Sequence, residues 1–269
     1  MKTRTPSKLV AFTSLGAALY FVGSYATAYI QSPWGLGQFR PAVIIPSIFA
    51  LLLGPVVGGL SAAIGTLIAD SIKHATLYIP SLVAAVPSNF LAFYLFGKLL
   101  QGRFRWPRFI AASTLALGVG NALCAVLYIL YQATIGVVPI ELLPGLSVGL
   151  TIWWFSTMLP FQLLVVPPVL KALAKSIPNL VPQDIIKECL EGVTPKSELV
   201  AVLLLVGCVT IGVAVLTTLS QEVALFFVGA LRPDRREIVK SLIVSMFSVT
   251  GVALLVTGST LAVAKRSSE

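Results

Sequence analysis

The chain is 269 residues long; 57% of its residues are hydrophobic, 11% are charged, and its net charge is +9 at pH 7. Soluble domains carry roughly 25% charged residues, so this composition excludes an ordinary soluble enzyme or binding domain. It predicts an all-α protein, a polytopic bundle of transmembrane helices. The lysines and arginines are grouped between apolar stretches, which favours anionic lipid headgroups over nucleic acid as the reason for the positive charge.

Apolar stretches of about 20 residues, the length needed to cross a membrane as a helix, predict about eight spans. In chain order they are Leu9–Ile30, Gly35–Gly54, Pro55–His74, Leu77–Leu99, Phe109–Thr134, Val148–Val169, Leu199–Leu219 and Ile238–Ala264. The first stretch has no small-residue cleavage site, so it is interpreted as a retained span and not as a signal peptide. Gln183–Glu191 is predicted to be a short amphipathic helix. Val223–Leu231 is too short to span and is predicted to lie at the interface or to re-enter.

The charges of the loops predict the orientation, because cytoplasmic loops carry an excess of lysine and arginine. With the N-terminus inside, the basic residues on the cytoplasmic side are Lys2, Arg4, Lys8, Lys98, Arg103, Arg105, Arg108, Lys171, Lys175, Lys187, Lys196, Lys265 and Arg266. The outer loops Gln31–Gln38 and Ile135–Ser147 carry none. The basic segment Arg232–Lys240 lies on the outer side in this orientation and is the exception to the rule. We therefore predict a multi-pass protein of the cell membrane with both termini in the cytoplasm.

The second and third spans form an apolar hairpin that folds at Gly54-Pro55 and has one charge near each open end. At ~1.5 Å per helical residue, Arg40 lies roughly 21 Å before the turn and Asp70 roughly 22 Å after it. If the turn sits at one membrane face, both charges lie beyond the midplane at similar height. Charges at this depth in a membrane are energetically costly and usually face an oppositely charged group or a water-filled cavity. The pattern predicts a polar pocket in the outer half; the alternative is an ion pair that only joins two helices.

Polar and aromatic residues of several other spans fall in the same outer half, as expected for the lining of a ligand cavity. Those predicted to bind a solute together with Arg40 and Asp70 are Asn89, Asn121, Trp34 and Trp153. Residues at similar depth without an assigned role are Gln38, Lys73, His74, Ser88, Tyr128, Tyr131 and Trp154. The alternative for the aromatic residues is the interfacial belt, and for the asparagines it is hydrogen bonding between helices.

Small residues in the first span, Ser14, Ala17 and Ala18, form a face that another helix can approach closely. We predict that another membrane subunit docks there. The sequence has no P-loop, no HExxH and no GxSxG motif, and its three cysteines have no CxxC spacing. We therefore predict no enzyme activity, no metal and no cofactor.

The stretch from Arg40 to Asp70, RPAVIIPSIFALLLGPVVGGLSAAIGTLIAD, followed by PSNFLAFYLFG at residues 87–97, resembles the substrate-binding S components of energy-coupling factor (ECF) transporters. The resemblance extends roughly over residues 8–175 and implies a six-helix membrane core with an outward pocket for a vitamin or its precursor. It also implies association with a transmembrane T subunit and two cytoplasmic ATPases. The predicted domains are a six-span core at residues 1–175, a cytoplasmic amphipathic linker at 176–198 and a two-span C-terminal extension at 199–269.

The sequence therefore predicts membrane uptake of a small, polar, vitamin-like solute by the substrate-binding component of an ECF-type transporter. Arg40 would hold an anionic or carbonyl group, and Asp70 would orient Arg40 or accept a hydrogen bond from the ligand. The two asparagines would form hydrogen bonds to the solute, and one of the two tryptophans would stack on it. The alternatives are a membrane scaffold or sensory module without transport activity, and an intramembrane enzyme.

Overall fold

The structure of the protein, a computed structural model, describes residues 6–266. Their α-helices are α1 Pro6–Ala26, α2 Ile44–Leu53, α3 Pro55–Lys73, α4 Val86–Leu100, α5 Trp106–Thr134, α6 Leu143–Ser176, α7 Gln183–Glu191, α8 Lys196–Leu219, α9 Gln221–Val228 and α10 Pro233–Arg266. Short turns of 3-10 or π-helix lie at Pro41–Val43, Ser81–Ala85, Ile140–Leu142 and Pro178–Leu180. The predicted all-α fold is confirmed for this part of the chain. Lys2 and Arg4, predicted to be cytoplasmic, lie outside the described residues.

Seven of the described helices are long and apolar enough to cross a membrane: α1, α3, α4 with the turn before it, α5, α6 with the turn before it, α8 and α10. The sequence predicted an eighth span at residues 35–54, where the structure has only the shorter helical piece Pro41–Leu53. Gly35 and Gly37 both have a φ of +71°. An α-helix needs a negative φ, so these two glycines keep the chain in a loop until Pro41, where the first arm of the hairpin begins.

The hairpin predicted from the sequence consists of α2 and α3, which meet at Gly54. Gly54 has a φ of +104°, and Pro55 begins α3, a position where the missing N–H of proline costs no helical hydrogen bond. From there α3 packs against both α1 and α4. At Gly65 the backbones of α1 and α3 are so close that a Cβ would lie 2.7 Å from the carbonyl oxygen of Ala17. This packing fixes the height of the far end of α3, where Asp70 lies.

Helix α7 caps the beginning of α5 at the end of the bundle that carries the Gly54 turn. The carboxylates of Asp184 and Glu188 accept hydrogen bonds from the backbone N–H groups of Phe104 and Trp106, at 2.9 and 3.0 Å. Trp106 is the first residue of α5, where a helix leaves its N–H groups unpaired, and the carboxylate of Glu188 there also meets the positive end of the helix dipole. Phe104 lies two residues before the helix. The bounds of α7, Gln183–Glu191, are those that the sequence predicted for the amphipathic helix.

Helices α8 and α10 pack mainly against each other. Their contacts with the rest of the molecule are chiefly with α6 and α9, with smaller ones to α5 and to Trp34. Their backbones touch at two glycines, since a Cβ on Gly251 would lie 3.0 Å from the carbonyl oxygen of Gly207. The segment Val223–Leu231 forms most of α9, which lies beside the start of α6. The division of the chain into a core, a linker and a C-terminal extension stays a prediction.

Candidate functional site

A cavity of about 90 Å³ lies at the end of the bundle where α3 ends. Its polar and aromatic lining residues are Gln31, Gln38, Arg40, Asp70, Lys73, His74, Tyr78, Ser81, Asn89, Asn121, Tyr128 and Trp154. The volume holds several water molecules or one small polar group, whereas pockets for drug-sized ligands measure roughly 300–1,000 Å³. A ligand of that size therefore enters only if the lining side chains or the loop before Pro41 move.

A buried ion pair between Arg40 and Asp70 lines this cavity. The Nη2 of Arg40 donates to the Oδ1 of Asp70, and each side chain is only 9% exposed. The Nη1 of Arg40 donates to the Oγ1 of Thr66 at 2.9 Å. Thr66 and Asp70 lie one turn apart on α3 and so on the same face. The two open ends of the hairpin thus bring the two charges to the same height, as their distances from the turn indicate.

Hydrogen bonds extend the ion pair along the cavity in both directions. The Nε2 of Gln38 donates to the Oδ1 of Asp70, and the Nζ of Lys73 donates to the Oε1 of Gln38 at 3.2 Å. On the other side, the Nδ2 of Asn89 donates to the Oγ1 of Thr66 at 2.9 Å. Lys73 adds a second cation to a lining that has one carboxylate among the described residues. The excess of positive charge suits a solute that carries anionic or hydrogen-bond acceptor groups.

Asn121 lines the cavity and has an unused hydrogen-bond donor. It is only 8% exposed, and its Nδ2 has no hydrogen-bond partner within the described part of the chain. Such a buried, unpaired group costs about 1–3 kcal/mol, which a carbonyl oxygen of a solute would recover. Gly120 packs against Ala92 of α4, so that Asn121, roughly 100° further round the helix, faces the cavity.

Aromatic rings provide the apolar part of the lining. His74 stacks on Tyr78, with ring centroids 3.8 Å apart and ring planes 5° from parallel. The hydroxyls of Tyr78 and Tyr128 lie 3.2 Å apart. Burial lowers the pKa of His74 below its ordinary value and Lys73 lowers it further, which favours the neutral imidazole. Donors beside flat aromatic surfaces suit a planar, polar ring system.

The structure brings the four predicted charged and amide residues into one cavity, but not the two predicted tryptophans. Trp153 is 2% exposed and does not line the cavity; its neighbour Trp154 does. Trp34 lies in the loop before α2, but its ring packs away from the cavity against α6, α9 and α10. Sequence reasoning missed Gln31, because it lies in a loop, where no periodicity shows which way a side chain points. It also missed Tyr78, which was predicted to lie in the span Leu77–Leu99 but lies in the loop after α3.

The family model described as "ECF-type riboflavin transporter, S component" matches residues 5–175, which is more than half of the chain. The chain belongs to this family. It is therefore an ECF S component, a substrate-binding part of a vitamin-type uptake system in the membrane, and the family is one of transporter components, not of enzymes. No curated protein and no solved structure matches the chain significantly.

In this S component the small-residue face of α1 is only partly available to a partner. Ser14 and Ala18 are exposed, and the exposed side chains of Val10 and Val22 continue the same stripe at four-residue spacing. Ala17 is 3% exposed because it packs at the contact between α1 and α3. Of the three residues predicted to dock a partner, Ser14 and Ala18 are exposed and Ala17 is buried; the docking itself stays a prediction.

The family match ends one residue before the last residue of α6. It thus covers α1 to α6, the six helices that the resemblance implied for the core. Helices α7 to α10 lie beyond it, and α8 and α10 are long and apolar enough to cross a membrane. The S component therefore carries two helices of spanning length outside the part that defines its family.

Proposed function

We propose that this S component captures a small, polar, vitamin-like solute in the cavity around Arg40 and delivers it across the membrane with a T subunit and two ATPases. The observation that carries the proposal is the meeting of Arg40, Asn89, Asn121 and Trp154 in one cavity at one end of a bundle of membrane-length helices. The sequence has no P-loop, so ATP hydrolysis of that kind has to come from a partner.

Riboflavin, the vitamin in the description of the family, is the solute that we propose. Its tricyclic ring is flat, and one edge of that ring carries two carbonyl oxygens and an N–H group. The Nδ2 of Asn121 and the guanidinium of Arg40 would donate to the carbonyl oxygens. Asp70 would hold Arg40 in place, and Trp154 would stack on the ring. Asn89 reaches the same network through its hydrogen bond to Thr66.

A fluorescence titration tests riboflavin as the solute. The purified protein in detergent is expected to quench riboflavin fluorescence at one molecule per chain, because stacking on an aromatic ring quenches an excited flavin, and thiamine or biotin should not compete. The neighbouring tryptophans give a matched pair: Trp154→Phe should weaken binding about tenfold, whereas Trp153→Phe should change it less than threefold. If no saturable quenching occurs, riboflavin is the wrong solute, and mass spectrometry of small molecules that co-purify with the protein would identify the right one.

We also propose that both termini and the Gly54 turn lie in the cytoplasm, so that the cavity faces outside. The support is the distribution of charge, because cytoplasmic loops are rich in lysine and arginine. The basic residues at the Gly54 end are Lys98, Arg103, Arg105, Arg108, Lys171, Lys175, Lys187 and Lys196. The segment Arg232–Lys240 follows α9 at the cavity end and opposes the trend, but basic residues late in the chain weigh less than the first ones.

Thiol labelling tests this orientation. In a background without Cys124, Cys189 and Cys208, single cysteines in place of the exposed Thr76 and Val137 should react with an impermeant reagent in intact cells. Cysteines in place of the exposed Ser176 and Val193 should react only after the membrane is permeabilised. The reverse pattern would place the cavity in the cytoplasm and overturn the proposed direction of capture.

A further inference from the structure

The loop Gln31–Gln38, here called the cavity loop, forms part of the cavity wall. The residues that it contributes to the lining are Gln31, Gly35, Gly37 and Gln38. An antiparallel bridge between the first and last of these residues closes the neck of the loop, and the N–H of Phe39 donates to the carbonyl of Ile30 at 2.8 Å. The two ends of the loop are thus held together at its neck.

Trp34 belongs to the cavity loop, but its side chain points away from the cavity. Its Nε1 donates to the backbone carbonyl of Phe227 on α9 at 3.2 Å. Its ring packs against the rings of Phe227 and Phe247, with centroids 6.1 and 6.2 Å away. It also fills the space left by Gly149 on α6, where a Cβ would lie 2.7 Å from the Cζ2 of the ring. Two of the three helices that hold Trp34, α9 and α10, lie beyond the part matched by the family.

The pocket that receives Trp34 is a packed part of the structure. Phe227 is 4% exposed and Phe247 is fully buried. Helix α9 is fixed on the start of α6, because a Cβ on Gly145 would lie 2.9 Å from the carbonyl carbon of Phe226. A tryptophan ring held in this way anchors its backbone firmly, since large aromatic side chains dominate packing energies.

The opposite side of the cavity loop contacts residues that we propose to bind or position the solute. Gly37 packs on the ring of Trp154, where a Cβ would lie 2.8 Å from the Cε2 atom. Gln38 donates to Asp70 and accepts from Lys73. Only a few residues separate Trp34 from Gly37 and Gln38, so a displacement of the tryptophan moves the groups that touch the ion pair.

We propose that α9 and α10 brace the cavity loop through Trp34, which makes Trp34 a positioning residue for solute binding. This inference rests on the proposed function of the cavity. A vitamin-sized solute enters or leaves only if the lining moves, and the brace opposes that movement. The C-terminal helices thereby set how long a solute stays bound, without touching it.

Hydrogen exchange of the full-length protein in detergent, without added solute, tests the brace directly. The amides of Gly35 and Phe39 report on the loop. The N–H of Gly35 donates to the carbonyl of Ser32 within the loop at 2.9 Å, and the N–H of Phe39 donates to the carbonyl of Ile30 at its neck at 2.8 Å. Trp34→Ala and Phe247→Ala are each expected to speed their exchange at least tenfold. The matched control Leu225→Ala removes an exposed side chain from α9 and should change the exchange rate less than twofold.

Stopped-flow release of riboflavin tests the consequence for binding. The dissociation rate constant should rise about tenfold in Trp34→Ala and in Phe247→Ala, and the double variant should rise no further, because both remove the same contact. Trp34→Phe keeps a ring and should restore most of the wild-type rate. Lower thermal stability of Trp34→Ala and Phe247→Ala with unchanged loop exchange would overturn the brace and leave α9 and α10 as stabilisers of the fold. If the wild type binds no riboflavin, the proposed solute fails, while the exchange experiment still decides the brace.

Discussion

Replacing Arg40 with alanine is expected to lower the affinity for riboflavin about 100-fold while the protein still inserts into the membrane. Hydrogen bonds from a charged donor contribute about 1.5–3 kcal/mol each, and about 1.4 kcal/mol corresponds to a factor of ten. The guanidinium also holds Thr66 and Asp70 in place, so its loss disorders the cavity wall. Fluorescence titration measures the affinity, and the thermal unfolding temperature measures the fold.

A double variant shows whether Arg40 acts in solute binding or only in stabilising the fold. In Arg40→Ala the carboxylate of Asp70 stays buried without its cation, which costs about 3–5 kcal/mol, so the unfolding temperature should fall. The double variant Arg40→Met with Asp70→Leu removes both charges and keeps the volume, and it should recover the unfolding temperature. It should still fail to bind riboflavin. Wild-type affinity in the double variant would mean that the ion pair only joins two helices.

The main features of the hairpin can be predicted from sequence because they follow from length. Gly54-Pro55 marks a turn, and nearly equal numbers of residues on either side bring Arg40 and Asp70 to similar height. The pair forms in the structure even though the first arm is shorter than predicted. The shortening itself was not predicted, because it depends on the positive φ of Gly35 and Gly37, and glycine is also compatible with membrane helices.

The aromatic part of the site could not be predicted from sequence. Helix α6 is apolar on nearly every side, so no periodicity shows that Trp154 faces the cavity and Trp153 does not. The direction of Trp34 depends on Phe227, which is 193 residues further along the chain. A contact of that range carries no local signal, and here it lies with α9 and α10, outside the stretch that resembles the family.

The proposed transport step needs a partner, and the predicted docking face for that partner lies on α1. Ser14 and Ala18 are exposed on α1 and do not line the cavity. Small side chains let helix backbones approach closely in a membrane, where packing drives association. If a partner docks through this face, a bulky side chain at either position should block transport and leave solute binding intact.

Ala18→Trp and Ser14→Trp are each expected to reduce vitamin uptake in cells more than tenfold and to abolish co-purification of the T subunit. Riboflavin affinity should stay within threefold of wild type, because neither side chain reaches the cavity. The matched control Leu115→Trp places the same bulk on an exposed position of α5 and should leave uptake unchanged. Normal uptake in both α1 variants would rule out docking through this face, and uptake into liposomes that contain this chain alone would show that it carries the solute without partner ATPases.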